Sequence, residues 1–305
     1  MEASRKTRSA QASNGFFNND NVVGYIFAAP FIISFLCLTM IPMGLSLYYS
    51  FCNYKIGALP DFIGDQNYLN LMKDATFVHS LLVTIQYVVI GVPLKLVFAL
   101  FIAMLLTKPT KAQGFYRAVY YIPSLIGGSV AVALVWKQLF GSRGPIVSII
   151  KTLGVKGFNF FGSTTWAFLP LVLCNAWQFG SSMLIFASGL KQIPKDYYEA
   201  AEIDGATGVK QFFKITIPLL SPTIFFILQT RIIGALQQFD LIYMVMDNSN
   251  RALSSVQTVV YYFYTNAFTY NNRGLGAAIV VCMLIIIMII TFILQKTEKK
   301  WVFYN

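Results

Sequence analysis

Few residues in this chain can do covalent chemistry. His79 is the only histidine, and Cys37, Cys52, Cys174 and Cys282 are widely spaced, with no CxxC pair. A His-based metal cluster or catalytic triad is therefore excluded, and no GxxxxGK[ST] run offers a phosphate loop. The four cysteines read as small buried hydrophobes. What remains is a set of polar side chains inside apolar runs, where the cost of placing them marks a pathway by default. Asn175, Gln178 and Ser182 follow at i, i+3 and i+7, one face of a helix, with the Trp177 ring nearby. Arg231 and Gln238 are seven apart on another stripe, with Gln237 and Asp240 adjacent, and Ser124 sits by Pro123, Gly127 and Gly128. Amides, hydroxyls and an indole face suit a polyhydroxylated solute. Each could equally be an interhelical hydrogen bond that holds a bundle together.

Arg231 stands near the middle of its apolar run, where snorkelling is hard. Two partners are open to it: a carboxylate on another subunit, or an acidic group on a solute. Lys95 reads as a snorkelling stem.

The elements that must position these residues follow from composition. The chain is 56% hydrophobic and 11% charged, against about 25% charge in a soluble domain. Six runs reach the roughly 20 apolar residues needed to cross a bilayer: about 22–51, 78–106, 115–140, 165–190, 218–246 and 275–295. The fold class is thus all-α integral membrane, a single domain over 20–300. The first run is too long for a cleaved signal core, and Pro30 and Pro42 within it predict kinks rather than breaks. Residues 1–19 are expected to be a disordered tail and 296–305 a C-terminal tail. Loop 141–164 is expected to hold a short interfacial helix. With the N-terminus inside, thirteen Lys and Arg fall on inner segments and eight on outer ones. That bias places both termini and 191–217 in the cytoplasm, and it gives the net charge of +11 a topological meaning.

Segment 191–217 is the long polar interruption. It mixes Lys191, Lys195, Lys210 and Lys214 with Asp196, Glu199, Glu202 and Asp204. Tyr197 to Ala206 contains good helix formers. Asp196 is placed to cap the start, Gly205 to end the helix, and Gly208 to repeat the break. Pro218 is expected in the first turn of the next span. The bland reading is an amphipathic interfacial loop.

Glu199-Ala200-Ala201, Gly205 and Ile215-Thr216-Ile217-Pro218 resemble the EAA motif of binding-protein-dependent ABC importer permeases, with Ile217 where leucine is commoner. FYRAVYYIPSLIGG…VWKQLFG, NAWQFGSSMLIFASGLKQIPKDYYEAAEIDGA and LGAAIVVCMLIIIMIITFIL are similar to the sugar permeases of the maltose-transporter (MalF-like) family, over about residues 20–300. The resemblance implies a type I ABC importer permease fold of six helices in the cell membrane. It implies a second permease of similar fold, two ATPase subunits that bind ATP and Mg, and an extracytoplasmic solute-binding protein. It assigns ATPase coupling to Glu199, Ala200, Ala201, Asp204 and Gly205.

The function expected is therefore a permease subunit for a sugar or oligosaccharide, working by alternating access and without cofactor or catalysis of its own. The substrate-pathway candidates are Ser124, Asn175, Trp177, Gln178, Ser182, Arg231 and Gln238. The same machine for a polyol, a glycerol phosphate or a uronate-containing oligosaccharide is the alternative. An intramembrane enzyme or a stand-alone proton-coupled carrier would need buried carboxylate or histidine relays, which are nearly absent.

Overall fold

In the computed structural model residues 20–107, 111–155, 157–247 and 249–303 are described. The expected tail 1–19 lies outside the described residues, as do Lys108, Lys156 and the last two positions of the C-terminal tail. The architecture is helical. Helix α1 (Asp20–Phe35) continues through a π turn, Leu36–Met40, into α2 (Ile41–Ser50). Strands β1 (Cys52–Asn53) and β2 (Asp61–Phe62) pair antiparallel with Cys52 opposite Phe62. Then come α3 (Gln66–Lys73), the long α4 (Ala75–Thr107), α5 (Gln113–Ile126), α6 (Val130–Phe140) and α7 (Pro145–Thr152). The remainder is α8 (Phe168–Trp177), α9 (Gly180–Gln192), α10 (Asp196–Ile203), α11 (Gly208–Gln211), a π turn at Phe212–Thr216, α12 (Ile217–Leu236), α13 (Asp240–Val245), α14 (Val259–Tyr264) and α15 (Arg273–Glu298).

Among the described residues four helical stretches are long and apolar enough to cross a membrane: Gly24–Ser50, Ala75–Thr107, Gly208–Leu236 and Arg273–Glu298. The count rises to six when two bent pairs are each taken as one span. In the first pair the chain turns by 94° between Ile126 and Val130; in the second it turns by 44° between Trp177 and Gly180. Helix α7 stands where a short helix is expected in loop 141–164.

One proline in each of two spans is absorbed in the same way. A proline inside a helix lacks an N–H and its ring meets the carbonyl four residues back. Here a π turn immediately precedes each Ile-Pro pair: Ile41 N–H bonds Leu36 O, and Ile217 N–H bonds Phe212 O. The widened turn keeps the helix running past Pro42 and Pro218. Pro218 is therefore not the start of a new helix, as expected from sequence, but an interior residue of one running from Gly208 to Leu236.

Helix α4 is the hub, packed on α8, α9, α12 and α14. Its Tyr87, Leu96, Ala99 and Ala103 meet Met183, Phe186 and Ala187 of α9 and Leu220 and Ile227 of α12 in one core. Helix α15 packs on α2 and α14, with Ile279 and Met283 in a second cluster. Between α5 and α9 the backbones approach closely at Gly180, where a Cβ would sit 2.5 Å from Tyr120 O and 2.8 Å from Tyr121 Cα.

Candidate functional site

Two places carry the polar residues singled out above: an exposed turn at one end of α12 and a polar pocket at the other. In the turn, α10 is short and almost wholly exposed; Tyr198 and Ala201 are its half-buried residues. Lys195 is its N-cap and makes no side-chain cap bond. Asp196 is thus the first helical residue rather than the cap expected from sequence. With Glu199 it places negative charge at the positive end of the helix dipole. The helix ends in a Schellman motif: Gly205 N–H bonds Glu202 O at 3.0 Å and Ala206 N–H bonds Ala201 O at 2.8 Å. Gly205 has φ +72°, the left-handed region that favours glycine. Gly208 does not repeat the break; it is the first residue of α11.

Three features make this turn a presented surface. Ile203 is 87% exposed at the tip of α10. Among the described residues, none of Asp196, Glu199, Glu202 and Asp204 lies within ion-pair distance of a Lys or Arg. The Tyr198 hydroxyl meets Thr216 Oγ1 at 2.9 Å and ties α10 to the π turn that leads into α12.

The pocket, a cavity of about 150 Å³, is lined by Gly127, Gly128, Ser129, Asn175, Gln178 and Gln238, with Ala133, Asp240, Leu241 and Met244 completing the wall. Three helix breaks converge on it: α5–α6 at Gly127-Gly128, α8–α9 at Gln178, and α12–α13 at Gln238. Irregular backbone at membrane depth is tolerated where it lines a cavity and its polar groups find partners. Side chains supply those partners. Gln178 Nε2 donates to Gly127 O at 3.2 Å, and Ser124 Oγ donates to Gln178 O at 3.0 Å. Ser124 Oγ also accepts Ser181 N–H at 3.1 Å, and Thr258 Oγ1 donates to Gln238 O at 2.7 Å.

The breaks redistribute the residues proposed from spacing. Asn175, Gln178 and Ser182 do not share one face: the 44° bend separates them. Asn175 and Gln178 face the pocket, whereas Ser182 is fully buried and accepts from Arg231 Nε at 2.9 Å. Arg231 and Gln238 do not share a stripe either, because α12 ends at Leu236. Trp177 is absent from the pocket wall; its ring packs on Trp136 at 6.0 Å. Ser124 acts at the hinge between α5 and α9. Sequence reasoning noted Asp240 as a neighbour of Gln238 but did not place it in the pathway; a helix start beside two glutamines was the available signal. Lys95 is not a snorkelling stem, since it is 6% exposed within the bundle.

The family model described as the binding-protein-dependent transport system inner membrane component matches residues 72–302. The chain is 43% identical, over 100% of its length and 97% of the relative's, to the probable ABC transporter permease YesP of Bacillus subtilis. It is 31% identical, over 93% of its length and 91% of the relative's, to the arabinooligosaccharides permease AraP of the same organism. Among solved structures, a chain of a bacterial ABC transporter involved in importing the acidic polysaccharide alginate superposes with a TM-score of 0.79. That match has 19% identity and covers 92% of this chain and 96% of the other, and it shows the fold.

Proposed function

The chain belongs to the inner membrane components of binding-protein-dependent transport systems, and from that premise we propose that it carries a sugar or oligosaccharide through the pocket at the α12–α13 break under the control of the α10 turn. It is a multi-pass membrane subunit of a transporter with the ABC importer permease fold, and not an enzyme.

One observation carries the reading of its mechanism. A single helical stretch, Gly208–Leu236, runs from the α10 turn to the edge of the pocket. At 1.5 Å per residue this 29-residue rod is about 43 Å long. Movement of α10 is handed to the rod through the Tyr198–Thr216 bond and the four-residue link to α11. It is felt at Gln238, where the helix stops. In this reading α10 docks on an ATPase subunit, with Glu199 and Asp204 meeting basic residues there, Ala200 and Ala201 allowing close approach, and Gly205 setting the exit. ATP and Mg belong to the ATPases. A second permease of similar fold completes the pore, and an extracytoplasmic receptor delivers the solute. Both termini and the α10 turn are cytoplasmic, in keeping with the Lys and Arg bias.

The sugar assignment is supported by the relatives, which include permeases for arabinooligosaccharides and for trehalose and maltose. It is also supported by Asn175, Gln178 and Gln238, whose amides match hydroxyl groups as donor and acceptor together. The test is reconstitution in proteoliposomes with the second permease, the ATPase and the receptor, leaving out one component at a time. Sugar uptake that needs every component supports the assignment. Uptake by this chain without an ATPase sinks it.

A further inference from the structure

Two cations lie on neighbouring helices inside the bundle with no acid within ion-pair distance among the described residues. Lys95 on α4 is 6% exposed, and Arg231 stands on α12, which packs on α4. Helices α4, α9 and α12 pack on one another, and Leu96, Met183 and Ile227, close in the chain to Lys95, Ser182 and Arg231, share one buried cluster. Among the described residues neither cation is within ion-pair distance of a carboxylate. Arg231 donates from Nε to Ser182 Oγ at 2.9 Å and from Nη2 to Ser181 Oγ at 2.6 Å. These hydroxyls orient the guanidinium but leave its charge whole, and a guanidinium carries more N–H donors than these two contacts use. Positive charges in a low-dielectric interior are costly unless an anion compensates them.

Their position says where that anion travels. Arg231 lies five residues before Leu236, where α12 ends at the pocket's edge, about 7.5 Å along the helix axis. It is joined to the pocket wall by Ser181, Ser124 and Gln178, which are hydrogen-bonded in sequence. The cations are thus the next polar station beyond the pocket, on the side toward the α10 turn.

We propose that Lys95 and Arg231 form an anion-accepting step on the solute path that takes the carboxylate of an acidic sugar; this rests on the sugar-importer reading above. The amides of the pocket hold hydroxyls, and the cations behind them draw the carboxylate onward. Neutral sugars gain nothing from the second step. The competing occupant is a carboxylate of the second permease, which would hold the cations permanently and serve neutral and acidic solutes alike.

The experiment uses the complete importer, with both permeases, ATPases and receptor, in proteoliposomes. Uptake is measured for a uronate-containing oligosaccharide and for the same oligosaccharide with its carboxyl reduced to the alcohol. The wild type is expected to move the acidic member. In Arg231→Gln and, separately, Lys95→Met, the acidic-to-neutral uptake ratio is expected to fall about ten- to a hundredfold, as for loss of a charge-assisted hydrogen bond. Arg231→Lys should recover part of it. Copurified ATPase reports assembly of each variant, and Lys95→Met keeps the test open should Arg231→Gln fail to assemble. An unchanged ratio, with both sugars falling together, overturns the proposal in favour of a subunit contact. A wild type that moves only the neutral member also overturns it. Uptake of no sugar at all overturns the importer reading, and this inference with it.

Discussion

Replacing Gly205 with alanine changes one methyl group and isolates the role of the turn. A Cβ at this position would meet no heavy atom within 4 Å, so the substitution is sterically free within this chain. The backbone is the obstacle. At φ +72° an alanine is held in the left-handed region at a cost of roughly 1–2 kcal/mol. If the chain relaxes out of that region, the bonds Gly205 N–Glu202 O and Ala206 N–Ala201 O go with it. A penalty of that size reduces the capped population about 5- to 30-fold relative to its alternatives. Asparagine visits the left-handed region more readily, so the conformational account ranks coupling as Gly, then Asn, then Ala, then Val. The assay is ATP-dependent uptake per copy of membrane-inserted permease, with ATPase copurification measured alongside. Were the glycine needed only because a partner surface presses on it, size alone would rule, and Ala would outperform Asn. That order of activities would refute the backbone argument.

Other expectations follow from the same geometry. Tyr198→Phe removes the bond to Thr216, about 0.5–1.5 kcal/mol, and should raise the ATP hydrolysed per sugar imported while leaving ATPase binding intact; an unchanged ratio would exclude this tether from transmission. Asn175→Ala should lower uptake about two- to tenfold with little change in thermal stability, whereas Gln178→Ala should lower stability as well, by about 1–3 kcal/mol, because Gly127 O loses its donor; the two variants melting alike would contradict the division. Gly180→Val places side-chain atoms against Tyr120 O and Tyr121 Cα and should abolish membrane accumulation, as seen by immunoblot. Before α4, burial raises the carboxyl of Asp74, but hydrogen bonds from the Tyr262 hydroxyl and from the Thr76 and Phe77 N–H groups outweigh it and leave it below the usual carboxylate range. Its contribution to stability is therefore present above the ordinary aspartate value of about 3.9 and lost as pH falls through the lower folded value; thermal melts from pH 7 down to 5 should not detect it, and Tyr262→Phe should narrow the acid margin.

The turn was legible in the sequence because its device is local: a glycine at the end of a short run of helix formers has a backbone reason to be there, and Gly205 shows it. Gly208 and Asp196 were misplaced by one step each, since an alternation of short helices gives several equivalent boundaries. The pocket was only half legible. Its amides stood out, but the bends did not, because apolar length counts residues and not directions. The break at Gln178 and the one at Gln238 carry no proline, and the glycine beside the first, Gly180, does its work against α5. Helical spacing carried across those breaks therefore grouped Ser182 with Asn175 and Arg231 with Gln238. Lys95 was misread for a related reason. Whether a lysine snorkels depends on how many helices surround its own, and nothing within α4 records that it is the hub.

The proposed function requires the α10 turn to lie in the cytoplasm against an ATPase. A single cysteine at Ile203, in a background with Cys37, Cys52, Cys174 and Cys282 replaced, tests it through labelling by a membrane-impermeant thiol reagent. Labelling only from the cytoplasmic side, and protection when the ATPase is bound, is the result predicted. Labelling of intact cells from outside, or labelling indifferent to the ATPase, would contradict it.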